Sequence, residues 1–297
     1  MEADSVKGEL PLIVIQGPTA SGKTKLAIEL AIAFNGEIIC ADSRTIYRYM
    51  DIGTAKPTLV ERSLVPHWGL DIVDPGGRFS AADFHKYAMA KIKEIRGRGH
   101  IPFLVGGTGL YVDAVVFNYM FTSRADPEQR RLLEKYSVSE LQVYCIRNNI
   151  EMPENRNNKR YLIRCIEQKN SPKPVKSAPL DTTIIVGIAT DKDILRQRIA
   201  HRTEHIFESN VVDEAIRLGK IYGWDNEAMT GNIYRLVKLY LDKAATLAEI
   251  KERNTTLDWR LAKRQLTWMR RNSLITWMSL HDAKHYLSNI LAATDKT

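Results

Sequence analysis

Cysteine is scarce in this 297-residue chain. Cys40, Cys145 and Cys165 are isolated, odd in number and without a C-x-x-C pair, which excludes a disulfide framework or a cysteine zinc cluster and suits a reducing cytoplasm. No apolar run approaches the length of a membrane span, and Met1 to Glu9 is too acidic and polar for a signal peptide. Internal repeats and low-complexity tracts are missing as well. Two histidine pairs, His201/His205 and His281/His285, have helical spacing, but neither forms His-Glu-x-x-His and no third ligand stands nearby. That argues against a helix-borne metal centre. The expectation is a cytoplasmic protein without membrane contact.

What is present is an apolar fraction of 44%, enough for a proper core, and a formal net charge of +8, which favours a polyanionic partner. Gly17, Pro18, Thr19, Ala20, Ser21, Gly22, Lys23 and Thr24 match the phosphate-loop pattern G-x-x-x-x-G-K-[ST] in full. An apolar run, Leu12–Ile15, precedes them and a helical pattern follows, the context this motif needs. Backbone N–H groups turned inward, together with the helix N-terminus, can cradle a diphosphate. Lys23 then reaches phosphate oxygens, and Thr24 can hold Mg²⁺.

Further apolar runs at Glu37–Ala41, Ile101–Val105 and Thr183–Ala189 read as buried parallel strands. Helical patterns at Lys23–Phe34, Ala81–Arg96 and Asp193–His205 lie between and after them. This alternation predicts an α/β fold, a P-loop NTPase-like three-layer core around a parallel sheet, with ligands at the carboxyl ends of the strands. The texture changes between 122 and 180, where twelve Lys/Arg stand against seven Asp/Glu. Short helices are predicted at Pro127–Tyr136 and Asn158–Gln168, with Ser171–Pro174 as an extended connector. The expected organisation is a core from 1 to 121, an inserted helical subdomain from 122 to 180, and a continuation of the core with basic C-terminal helices from 181 to 297.

The second strand runs into Asp42 and Ser43. A carboxylate there can bind Mg²⁺, accept a proton as a general base, or cap the following turn. The segment Ile46–Pro57 combines aromatic and basic residues with a hairpin-like glycine, Gly53. Ser80 with Asp83 resembles a capping box. The fourth strand leads to Gly106, Gly107, Thr108 and Gly109, where glycines bring the backbone close to a ligand and the Thr108 hydroxyl can donate to a phosphate oxygen.

The ordered set GPTASGKT, ADSRTIY, MDIGTAKP, PHWGLDIVDP, FSAADF and VGGTGLY, with NNKRYLIRCIE and KRQLTWMRR further on, resembles the tRNA dimethylallyltransferases from about Leu12 to Trp277. The resemblance implies transfer of a dimethylallyl group from dimethylallyl diphosphate to N6 of adenosine 37, beside the anticodon. It implies catalytic roles for Lys23, Asp42 as the base, Thr108 near the transferring group, and Arg202 on the diphosphate. It further implies contacts with the tRNA anticodon stem-loop from Asp42, Ser43, Arg44 and Thr45, from Arg160, Tyr161, Leu162, Ile163 and Arg164, and from Tyr234 and Arg235. The last such stretch is Lys263, Arg264, Gln265, Leu266, Thr267, Trp268, Met269 and Arg270. The insertion would clamp the stem-loop, Mg²⁺ would be the cofactor, and the protein would act as a monomer. The chain departs from the pattern at Ile233, where the family has glycine, at Leu236, Trp68 and Asn210, and in a shorter insertion. Other readings of a phosphate loop are an adenylate isopentenyltransferase, a small-molecule kinase and a non-catalytic RNA-binding module. The basic insertion and tail favour a tRNA acceptor over a free nucleotide.

Overall fold

The structure, a computed structural model, describes residues 9–121, 126–169 and 178–294. It divides into two compact units, one formed by Met1–Phe117 and Pro179–Thr297, the other by Asn118–Ala178.

In the larger unit, six strands form one all-parallel sheet. They are β1 (Leu12–Gln16), β2 (Gly36–Ala41), β3 (His67–Trp68), β4 (Ile101–Gly106), β5 (Thr183–Ile188) and β6 (Thr276–Met278), in the order β3-β2-β4-β1-β5-β6. The inner strands are apolar at successive positions because both faces of the sheet are covered, as parallel sheets require. Ile13, Ile15, Ile38, Phe103 and Val186 point to one face, against Leu26 and Leu30 of α1 (Lys23–Ala33) and Ala283, Leu287 and Leu291 of α12 (Leu280–Thr294). Leu12, Val14, Ile39 and Leu104 point to the other, against Phe84, Ala88, Ile92 and Ile95 of α3 (Ala81–Gly97) and Val112 and Val115 of α4 (Gly109–Val116). Three layers result, as the alternation predicts. The Ser80/Asp83 capping box is present at the start of α3.

Past β5 the chain builds a helical group: α8 (Lys192–Glu208), α9 (Val211–Tyr222), α10 (Asn232–Leu241) and α11 (Leu247–Met269). Its apolar faces share a cluster with Ile46, Tyr47 and Met50 from the loop after β2. That loop is not a hairpin. It runs through successive turns to the short helix α2 (Leu59–Leu64), with an isolated parallel bridge between Tyr47 and Val73.

The smaller unit holds α5 (Pro127–Leu133), α6 (Val138–Arg147) and α7 (Lys159–Glu167) around Leu133, Leu141, Cys145, Leu162, Ile163 and Ile166. Asn158 caps α7 by accepting from the amides of Arg160 and Tyr161. The connector expected at Ser171–Pro174 lies outside the described residues, as does most of Met1–Glu9.

Candidate active site

Gly17 to Thr24 join β1 to α1, and Gly22, at φ 90°, is the N-cap of that helix. Within the loop the Ser21 amide donates to the Pro18 carbonyl at 3.2 Å. Lys23 bends back and donates to the same carbonyl at 3.2 Å. Burial pulls its ammonium down to about 8; nearby Asp42 pulls the other way, and Arg202 adds to the depression. The Ser21 hydroxyl is buried without a hydrogen-bond partner. The loop therefore offers cationic and polar groups that protein contacts leave incompletely satisfied, as an anion site does.

Next to the loop, the carboxyl ends of β2 and β4 lie side by side, with Ala41 paired to Gly106. The Arg44 amide donates to Asp42 Oδ1 at 2.8 Å, which orients the carboxylate. The Ser43 amide donates to Thr108 Oγ1 at 3.1 Å. A hydroxyl that accepts this bond keeps its own proton to donate elsewhere. Lys23, Thr24, Asp42, Thr108, Arg202 and Gln265 all line one cavity of about 340 Å³, the size of a small-molecule site. Cys40 lies in the same wall, but burial pushes its thiol up to about 12, so it is no nucleophile.

The opposite wall is helical. Arg202 Nη1 donates to Thr19 Oγ1, and its Nη2 donates to the Thr54 carbonyl at 3.2 Å. One guanidinium thus ties the phosphate loop to the loop after β2. Arg198, one turn earlier, donates to the Ser21 carbonyl at 3.2 Å. From α11, Gln265 Oε1 accepts from the Thr19 amide at 2.8 Å. The glycines after β4 also make close approaches to protein. A Cβ on Gly107 would stand 2.4 Å from Gln265 Nε2, and one on Gly109 would stand 2.0 Å from Trp268 Cδ1. The Trp268 indole N–H donates to Asp113 at 2.8 Å, which holds α11 against α4.

Of the residues expected to meet RNA, Arg160, Tyr161, Arg235, Lys263, Arg264, Thr267 and Arg270 are exposed, and Arg44 and Arg164 are partly so. Leu162, Ile163 and Met269 are corrections. Their side chains are buried in hydrophobic clusters and present no surface to a partner. Thr45 is also buried. Tyr234 is a further correction, only 1% exposed, with its hydroxyl donated to Glu214 at 2.8 Å. Gln265 and Trp268, expected on the RNA face, are engaged with the phosphate loop and with α4. Among the described residues, no group of three His, Cys, Asp or Glu could hold a metal ion, which includes the two histidine pairs.

Sequence reasoning missed Glu214, Asn232, Asn254 and Asp258. Asp258 lines the cavity and accepts from Asn232 at 3.3 Å. Burial raises its carboxyl above the usual range, while Arg202 and Asn232 pull it back. No local pattern marks these residues; they become visible only where α8, α9, α10 and α11 converge.

A phosphate loop sharing a cavity with a strand-end carboxylate is an arrangement suited to a group-transfer enzyme. The IPP transferase family model matches residues 45–272. The chain is 36% identical over 285 residues to the tRNA dimethylallyltransferase of Bacillus velezensis, covering 91% of each chain. It is 35% identical to that of Bacillus subtilis, again over 91% of each. A full-length tRNA isopentenylpyrophosphate transferase from Bacillus halodurans superposes with a TM-score of 0.73 at 35% identity, covering 97% of this chain and 99% of that one. A eukaryotic dimethylallyltransferase acting on tRNA gives a TM-score of 0.74 at 25% identity, covering 91% and 74%. The chain belongs to the IPP transferase family.

Proposed function

We propose that the protein transfers a dimethylallyl group from dimethylallyl diphosphate to N6 of adenosine 37 in tRNA, releasing N6-dimethylallyladenosine in the tRNA and diphosphate. The observation that supports this most is the shared cavity, where phosphate-binding Lys23 and Thr24 face Asp42 and Thr108. The C1–O bond of the donor breaks with its electron pair leaving on the diphosphate. The N6 lone pair forms the new C–N bond, and one N6 proton passes to the Asp42 carboxylate. Adenine N6 is a weak nucleophile because its lone pair is delocalised into the ring, so a positioned base matters. Lys23 and Arg202, beside the helix N-terminus at Thr24, would stabilise the departing diphosphate, the kind of electrostatic preorganisation that speeds such steps. Thr108 keeps a hydroxyl proton for an oxygen near the transferring group.

Thr24 would hold Mg²⁺ at the mouth of the loop, and its charge would offset that of the leaving diphosphate. The donor set fits. One hydroxyl without a protein cage suits an ion that takes most of its ligands from phosphate and water.

The acceptor reading rests on family membership and on basic side chains that are exposed or, for Arg164, partly exposed. In the larger unit these are Lys263, Arg264 and Arg270; in the smaller unit they are Arg160 and Arg164 beside Tyr161. Basic groups hold RNA phosphates, aromatic rings stack unpaired bases, and the target base must leave its stack to react. The acceptor in this reading is the anticodon stem-loop, and the reaction takes place in the cytoplasm, carried out by a monomer. Among the described residues, no helix is long and apolar enough to cross a membrane.

The test supplies purified protein and Mg²⁺ with labelled dimethylallyl diphosphate and, in turn, unmodified tRNA, tRNA with guanosine at position 37, AMP, or no acceptor. Label entering only the first supports the proposal. Label in AMP, or in both tRNAs, overturns it.

A further inference from the structure

The loop between Asp51 and Lys56 is held from two sides by buried side chains. Glu214, in the first turn of α9 and buried, accepts from three consecutive backbone amides. Its Oε2 takes the Asp51 and Ile52 N–H groups, each at 2.8 Å, and its Oε1 takes that of Gly53 at 2.9 Å. The fourth donor is the Tyr234 hydroxyl, also on Oε1. Tyr234 covers the loop so closely that a Cβ on Gly53 would stand 2.7 Å from its ring. From the other side, the buried Lys56 ammonium donates to the Tyr47 carbonyl at 2.8 Å, to Asp51 at 2.6 Å and to Asp71 at 2.7 Å. A carboxylate with four donors and no free lone-pair site is unsuited to proton transfer. It is built to fix backbone.

What the fixed backbone does is visible one residue further on. The Thr54 carbonyl accepts from Arg202 Nη2, while Nη1 of the same guanidinium reaches Thr19 in the phosphate loop. We infer that Glu214, with Tyr234 as its fourth donor, is a positioning residue for the diphosphate site, holding the 51–54 loop so that the Thr54 carbonyl aims Arg202 at the phosphate loop. This inference rests on the proposed role of Arg202 at the diphosphate, and it replaces an RNA contact for Tyr234 by an internal one.

The test is a double-mutant cycle read by calorimetric titration with inorganic pyrophosphate and Mg²⁺, using the full chain. In Glu214→Gln, an amide N–H₂ must face backbone N–H donors that the carboxylate accepted, so the loop loses its anchor. Pyrophosphate affinity is expected to fall about tenfold, the scale of a lost charge-assisted hydrogen bond. Tyr234→Phe keeps the three amide bonds and is expected to lose about twofold or less. In an Arg202→Ala background, Glu214→Gln is expected to add nothing further, because the two act in series. Additive losses, or undiminished affinity in folded Glu214→Gln, would overturn the inference. A generic stability role predicts a lower melting temperature with pyrophosphate affinity unchanged. If the wild-type protein fails to bind pyrophosphate at all, it is the diphosphate reading that fails, which keeps the two outcomes distinct.

Discussion

Along the sheet side of the cavity, the reactive groups come from short continuous segments, Gly17–Thr24, Asp42–Thr45 and Gly106–Gly109, held in register by β1, β2 and β4. The helical side is assembled differently. Arg202, Glu214, Tyr234 and Gln265 come from four separate helices, and each has a polar contact with a loop of the opposite side or with a residue that holds one. The sheet presents chemistry, and the helices hold it in place. Two consequences follow for substitutions. Losses at the strand-end residues Asp42 and Thr108 should strike the chemical step, whereas losses in the phosphate loop or on the helical side should strike donor binding first.

Asp42→Ala is the sharpest probe of this contrast. Single-turnover prenylation at saturating tRNA should slow by about 10²–10⁴, the range for a positioned base, with pyrophosphate affinity within about twofold of wild type. A near-normal rate would break the contrast at its strongest point. Arg202→Ala should lower kcat/KM for the donor by about 10², as for removal of one preorganised donor. tRNA affinity, measured by filter binding, should stay unchanged; a fall in it would put Arg202 among the RNA contacts instead.

Lys23 gives a graded version of the same comparison. Its ammonium titrates near 8 in the free protein, so the cation is present below that pH and lost above it. Pyrophosphate affinity should therefore weaken as pH rises through about 8, by up to about tenfold per pH unit. Lys23→Arg, permanently charged, should flatten that profile whatever its absolute affinity. A wild-type profile that stays flat from pH 7 to 9 would refute a direct ammonium contact. The smallest effect is expected for Gln265→Ala, which removes one neutral hydrogen bond to the Thr19 amide. Donor KM should rise about fivefold, the equivalent of about 1 kcal/mol, with tRNA affinity unaffected. The opposite pattern would return Gln265 to the RNA face.

The same division explains what could be read before the fold was known. The phosphate loop, Asp42 and Thr108 are legible because each sits where an apolar run meets a glycine or a small polar residue, a purely local signal. The α/β class followed from four buried strands. β3 and β6, two and three residues long, carry no periodicity and escaped notice. Leu162, Ile163 and Met269 were swept into the RNA-contacting stretches because motifs are contiguous while helix faces are not. At α7, Arg160 and Arg164 share one side and Leu162 and Ile163 turn inward. Tyr234 misled for a different reason. It was carried over with Arg235 from the family's turn, and the internal bond appears only when Glu214, twenty positions earlier, is seen to take its hydroxyl. Glu214 itself looks like any acidic residue in a first helical turn.

The bond from Gln265 to Thr19 spans 246 positions and closes over a notch that only glycine at 107 leaves open. A ribosome that has released the first two hundred residues has therefore produced a complete phosphate-loop motif without its bracing. The growing polypeptide can acquire a braced phosphate loop only after α11 has emerged and docked, so synthesis leaves Thr19 without this partner until Gln265, 246 positions later, is available.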